Sequence, residues 1–177
     1  QGFFVTGSPS GGNIKFENDQ RIFKKENTSE AVFFKANNEN VATEDLIKRI
    51  RLKFQTPEGA IRPLLLAFTP NNLANDDFNY GWDAINNDYF PSDMSWLIDD
   101  KNYVIQGVGE FDTSKIYPVN IQLAISGGIE ISLESLENFE SDIPVYVFDA
   151  VLNTYTQIND TDFELTLDAN AYSDRFF

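Results

Sequence analysis

Between Lys48 and Phe54 the chain alternates strictly. Ile50, Leu52 and Phe54 fall on one side, and Arg49, Arg51 and Lys53 on the other. A period of two marks a strand buried on one face. Pro57-Glu58-Gly59 then supplies a turn, so Ala60–Thr69 is expected to return antiparallel. Pro63 should mark an edge or a bulge there, because proline cannot donate to a ladder. The same alternation returns at Gly128–Leu133, where Ile129, Ile131 and Leu133 interleave with Glu130, Ser132 and Glu134. Further strands are expected at Phe3–Thr6, Asn13–Phe16, Arg21–Lys24 and Ala31–Lys35. Others are expected at Met94–Ile98, Tyr103–Gly107, Lys115–Ile125, Val145–Val151 and Phe163–Leu167. Asp99-Asp100-Lys101-Asn102 reads as a four-residue hairpin loop, and Asp149–Tyr155 as a hairpin with Leu152-Asn153 at its tip. Thr43 either caps one helical turn or leads into a strand. Asn71–Asp93 is a long irregular connection. No helix longer than about two turns is predicted. The whole reads as one all-β domain over residues 1–177, an antiparallel β-sandwich of jelly-roll or Ig-like type.

Composition agrees with that class and narrows the chemistry. Sixteen Phe and seven Tyr favour pleated surfaces. Thirteen basic residues against 28 acidic ones leave a net charge of −15. That field opposes nucleic acid and anionic lipid, and favours solubility and cations. Cys and His are both absent, which excludes disulfides, thiolate nucleophiles, imidazole bases and most zinc sites. No apolar run reaches the 18 residues of a membrane-spanning helix. The opening Gln1-Gly2-Phe3-Phe4 reads as a mature N-terminus. The strand rhythm of Tyr172–Phe177 predicts a polypeptide that continues.

Acids and rings converge at Asp76-Asp77-Phe78-Asn79-Tyr80-Gly81-Trp82-Asp83. Asp76, Asp77 and Asp83 fit a structural calcium in an inter-strand loop, since calcium takes carboxylate and carbonyl oxygens. Otherwise they cap turns and accept backbone N–H bonds. Tyr80 and Trp82, with Asn79 beside them and Trp96 further on, fit a sugar-binding face of rings and amides. Otherwise they anchor the loop and core. The basic stripe either binds an anion or pairs with carboxylates on neighbouring strands. Asp149 and Arg175 are expected to form a structural ion pair, with the arginine reaching back bidentately. Asn27-Thr28-Ser29 and Asn159-Asp160-Thr161 match the glycosylation acceptor pattern by chance.

An ordered series of short segments resembles a domain of Bacteroidetes proteins exported by the type IX secretion system. The segments begin with Arg62-Pro63-Leu64-Leu65-Leu66-Ala67-Phe68, Asp77–Ala84, Met94-Ser95-Trp96 and Tyr103–Gly107. They continue with Ile116–Val119, Gly128–Leu133, Val145–Asp149 and Tyr172–Phe176. The resemblance covers residues 48–177, with 1–47 less alike. It implies an extracellular or cell-surface β-sandwich in adhesin-like proteins, normally placed before a C-terminal secretion signal, and carries over no catalytic residue. The function expected first is therefore non-enzymatic adhesion or extracellular assembly. Its partners would be the secretion machinery during export, then glycans or other surface proteins. A carbohydrate-binding module stabilised by calcium comes second. A glycoside hydrolase working through two carboxylates comes third. No cofactor is expected beyond that calcium, and neither nucleic acid nor membrane insertion is.

Overall fold

The computed structural model describes residues 10–13, 15 and 45–177. The chain divides into two compact units, residues 1–43 and 44–177, and the described residues lie almost wholly in the second. Thr43 and the strands expected in the first thirty-five residues, apart from Asn13 and Lys15, lie outside them.

The described part of the second unit is nearly all β, with one 3-10 turn at Pro70–Asn72 and no α-helix. Its strands are β1 (Lys48–Gln55), β2 (Ile61–Phe68), β3 (Ala84–Ile85), β4 (Asp93–Ile98), β5 (Lys101–Val108) and β6 (Val119–Gln122). They continue as β7 (Gly127–Glu137), β8 (Tyr146–Asp149), β9 (Thr154–Gln157), β10 (Phe163–Leu167) and β11 (Ala171–Phe176). They hydrogen-bond in the order β10-β7-β1-β2-β5-β4-β6-β11-β8-β9, with β3 attached to β5. The sheet curls until it is nearly closed into a barrel. It is mixed rather than purely antiparallel: β2 and β5 run parallel, Leu65 opposite Ile105 through Phe68 opposite Val108. The long Thr69–Asp100 connection makes this pairing possible.

Local chemistry explains most elements. β1 buries Ile50, Leu52 and Phe54, as its alternation predicts. Pro63 lies opposite Lys53 of β1, where β2 is not yet joined to β5, so its missing donor costs no ladder bond. Between β1 and β7 the register slips: Arg51 faces Ser135 whereas Leu52 faces Leu133. The extra residue, Glu134, is a β-bulge, and it helps to set carboxylates against the basic stripe. Lys53 meets Glu134 at 3.0 Å, and Arg51 meets Glu137 at 2.5 Å. Arg49 meets Asp45 at 2.7 Å. The stripe is thus paired with neighbouring carboxylates.

Two expectations change. Asp99 and Asp100 alone turn β4 into β5, with φ of 48° and 59°. This is the two-residue turn with both central residues left-handed, whose twist matches the strands it joins. The strand expected over Lys115–Ile125 shortens to β6, because Pro118 breaks its first half away.

The core is one cluster drawn from most of the strands, with Phe54, Val108, Ile121 and Phe176 fully buried. Phe163 on β10 meets Phe176 on β11 edge to face, centroids 6.0 Å apart. Burying each such side chain contributes about 1.5–3 kcal/mol.

Candidate functional site

The inward row of β2 sets up two contrasting ends. At one end stands Arg62, a buried charge in register with Leu64, Leu66 and Phe68. Its guanidinium holds Asp93 bidentately, Nε to Oδ1 at 2.7 Å and Nη2 to Oδ2 at 2.8 Å. Asn86 donates to the same carboxylate at 3.0 Å and to Ser95 Oγ at 3.1 Å. The amides of Phe90 and Met94 also donate to Asp93, the Phe90 ring lies 4.1 Å from the guanidinium carbon, and Arg62 donates to the Asp88 carbonyl. Every lone pair a buried carboxylate needs satisfied is met. This knot clamps the Asn86–Asp93 segment onto β2. Sequence reasoning missed it, because 31 residues separate its ions and no local pattern announces the pairing.

The acidic-aromatic segment is organised by Asn79 and Asp83. Asn79 donates its amide to Asp83 Oδ2 at 2.6 Å, and Gly107 donates to Asp83 Oδ1 at 2.7 Å. The Asn79 side chain binds the carbonyls of Asn75 and Asp77. The Asn79 backbone carbonyl accepts from the amides of Trp82 and Asp83. Gly81, at φ 86°, closes the turn Asn79–Trp82 in the manner of type II. Trp82 is half-buried, lying over Gly107: a Cβ placed on that glycine would stand 2.6 Å from the tryptophan Cβ. Tyr80, at the tip, is 95% exposed. The expected sugar-binding set is therefore dispersed. Tyr80 points to solvent, Asn79 and Trp82 hold the loop, and Trp96 is in the core at 4% exposure, opposite Val119 and Tyr103.

The three candidate metal ligands also part company. Asp76 meets Lys115 at 2.6 Å, Asp77 is exposed, and both oxygens of Asp83 accept backbone amides. Among the described residues no three carboxylates stand together at metal-holding distance.

At the other end of the β2 row, Leu66 and Phe68 open into a cavity of about 340 Å3. Ile50 and Trp96, the Phe111–Tyr117 loop, and Ile143, Tyr146, Phe148, Tyr155 and Phe177 complete its lining. Phe148 stacks on Tyr155 at 4.4 Å. The cavity was illegible in sequence because at least five separate segments build it.

A pinned hairpin borders this cavity. Arg175 grips Asp149 bidentately, Nε to Oδ1 at 3.0 Å and Nη2 to Oδ2 at 2.7 Å, as the sequence led us to expect. Asp149 is wholly buried and also accepts the amides of Val151 and Leu152. Burial alone would raise its pKa. Arg175 and the two amides outweigh that and hold it below the ordinary carboxylate value.

The chain belongs to a family described as a domain of unknown function (DUF8693), whose profile matches residues 1–177. Neither the curated proteins nor the solved structures gave a match.

Proposed function

We propose that the chain is a non-enzymatic module of an exported, cell-surface protein, carried out by type IX secretion and used in adhesion or extracellular assembly. One observation carries this reading. Several polar residues in the segments that resemble exported surface domains serve architecture. Arg62 clamps Asp93, Asn79 and Asp83 fasten the loop to Gly107, and Asp149 holds Arg175. These three carboxylates are engaged by arginines and backbone amides, which suits a structural role for them. A sequence signature made of structural pins suits a display scaffold whose partners are met by variable surface.

We read the curled sheet as a flattened sandwich, with β10-β7-β1-β2-β5 facing β4-β6-β11-β8-β9. The Phe163–Phe176 contact supports this, since it joins strands far apart in hydrogen-bonding order.

The test is location. Native cells are fractionated and treated with protease, with and without a working type IX translocon. Protein on the surface or in the medium of normal cells, retained inside translocon mutants, is the expected result. Protein that stays cytoplasmic in both would refute the proposal.

The exposure of Tyr80 favours a second use, contact with glycans through a ring on a rigid turn. A glycan array with and without calcium should then show binding that Tyr80→Ala abolishes. Equal signals for both proteins would end that reading.

A further inference from the structure

The two ends of the strand order are guarded differently. Among the described strands, β10 and β9 stand at those ends. Edge strands invite pairing with other chains, and proteins blunt them with charge, proline, a bulge or a covering segment. β10 is guarded: it carries the exposed Glu164, in register with Glu130 of β7. β9 shows no such device among the described residues. It reads Thr154-Tyr155-Thr156-Gln157, pairs with β8 without a register shift, and leaves Thr154, Tyr155 and Gln157 exposed.

The ladder shows which backbone groups of β9 are unused. Phe148 of β8 gives its amide and carbonyl to Phe177, and Ala150 donates to the Arg175 carbonyl. The bonds of an antiparallel strand alternate between its two neighbours. Val147 and Asp149 are therefore the residues that bond β9, through Thr156 and Thr154 opposite them. Tyr155 and Gln157 accordingly turn their amides and carbonyls to the open side. The Thr161 hydroxyl reaches the Gln157 carbonyl at 3.4 Å, and a carbonyl keeps a second lone pair.

We propose that this edge docks a second copy of the chain, the two β9 strands pairing antiparallel about a twofold axis at Thr156. In that register Tyr155 meets the partner's Gln157, and Gln157 meets the partner's Tyr155. The unused groups of the two edges then match one for one, as an isologous contact requires.

Charge selects the occupant. From Ile143 to Asn159 the one charged residue is Asp149, which is wholly buried and held by Arg175. Two chains of net charge −15 repel each other. They approach at least cost where neither presents a charge, and this hairpin is such a place. A basic partner would instead be drawn to carboxylates, which β10 displays and β9 lacks. Val151 and Leu152 at the hairpin tip and Tyr155 on the strand are each more than half exposed, so apolar surface flanks the edge. A four-residue strand falls short of the ~1,200 Å2 that stable complexes bury, so the pairing is weak and reversible. The inference goes beyond the location and use proposed above and does not rest on them, because purified protein tests it.

The full chain is followed by sedimentation equilibrium and by amide hydrogen exchange in NMR, at physiological salt. A monomer–dimer equilibrium with Kd between about 1 μM and about 1 mM is expected. Exchange at the Tyr155 and Gln157 amides should slow as concentration rises. Thr156 lies on the axis and meets itself. Thr156→Lys and Thr156→Glu should each weaken self-association about tenfold or more through contact of like charges. Mixing the two variants in equal amounts should restore association as a heterodimer, a rescue that damage to the fold would not give. A wild-type chain that stays monomeric up to about 1 mM would overturn the proposal and leave the edge to a different partner. A dimer whose Tyr155 and Gln157 amides exchange equally fast at every concentration would also overturn it, because its contact would lie elsewhere.

Discussion

At the scale of single residues, two buried ion pairs fasten loops and late strands around the apolar core. Asp149 and Arg175 have side-chain exposures of 0% and 17%. Asp149→Asn strands the guanidinium and weakens its bonds. It should cost about 2–4 kcal/mol, below the most deeply buried pairs because Arg175 still reaches water. Urea denaturation measures it. The pH dependence has a definite sign. A carboxyl whose folded pKa is lowered contributes stability that is full above its unfolded pKa, about 3.9, and lost as pH falls through the folded value. The gap between wild type and Asp149→Asn should therefore be constant from neutral pH down to about pH 4 and close below it. A gap that widens in acid would contradict this account. The sequence revealed this pair because Arg175 sits in a strand-like run, between Asp174 and Phe176. It concealed Arg62–Asp93 because one partner follows a turn and the other ends an irregular loop.

At the scale of elements, the hairpin turns and the loop anchors carry the testable content. Asp99-Asp100 places two like charges in left-handed conformation. Asp100→Gly creates the Asp-Gly pair this turn prefers and removes the repulsion and the strain at position 100. It should raise stability by about 0.5–1 kcal/mol in thermal melts, and a lower melting temperature would show that the strain is negligible. Gly107→Ala should do the opposite. The new methyl would press on the Trp82 Cβ at 2.6 Å, so either β5 or the Asn79–Asp83 turn must move. A loss of about 1–3 kcal/mol is expected, the usual cost of overpacking, with a red shift of tryptophan fluorescence as Trp82 lifts. Unchanged fluorescence would mean that the strand yielded instead. The strongly periodic strands, β1 and β7, were legible because side-chain alternation is a local property. The length of β6 was not, since Tyr117 and Leu123 look alike as apolar residues whether or not a ladder continues through them. The parallel step from β2 to β5 was equally hidden. A hydrophobic run reports burial but not the direction of the neighbour.

At the scale of the whole molecule, charge and topology dominate. A net charge of −15 on one chain is self-repulsive. Raising salt from about 10 mM to about 150 mM shortens the screening length from roughly 30 Å to roughly 8 Å, so the melting temperature should rise. A falling melting temperature would mean that the exposed ion pairs of the basic stripe outweigh the repulsion. Composition foretold the acidity and the β class but not the closure of the sheet, which depends on pairings between distant segments.

One such pairing has a bearing on timing. Among the described strands β11 comes last in sequence, yet it lies inside the sheet, with β6 on one side and β8 on the other. Beyond the strand proper, Phe148 and Phe177 exchange amide–carbonyl bonds, and Ala150 donates to the Arg175 carbonyl. A chain that emerges from its N-terminus, from a ribosome or through a pore, can therefore make β1 to β6 first. The β8–β9 hairpin then waits, with its Asp149 charge uncompensated, until residues 171–177 arrive. The arrival of residues 171–177 is the event that joins β6 to β8. Until then β6 and β8 have no strand between them, and residues 171–177 act as the latch.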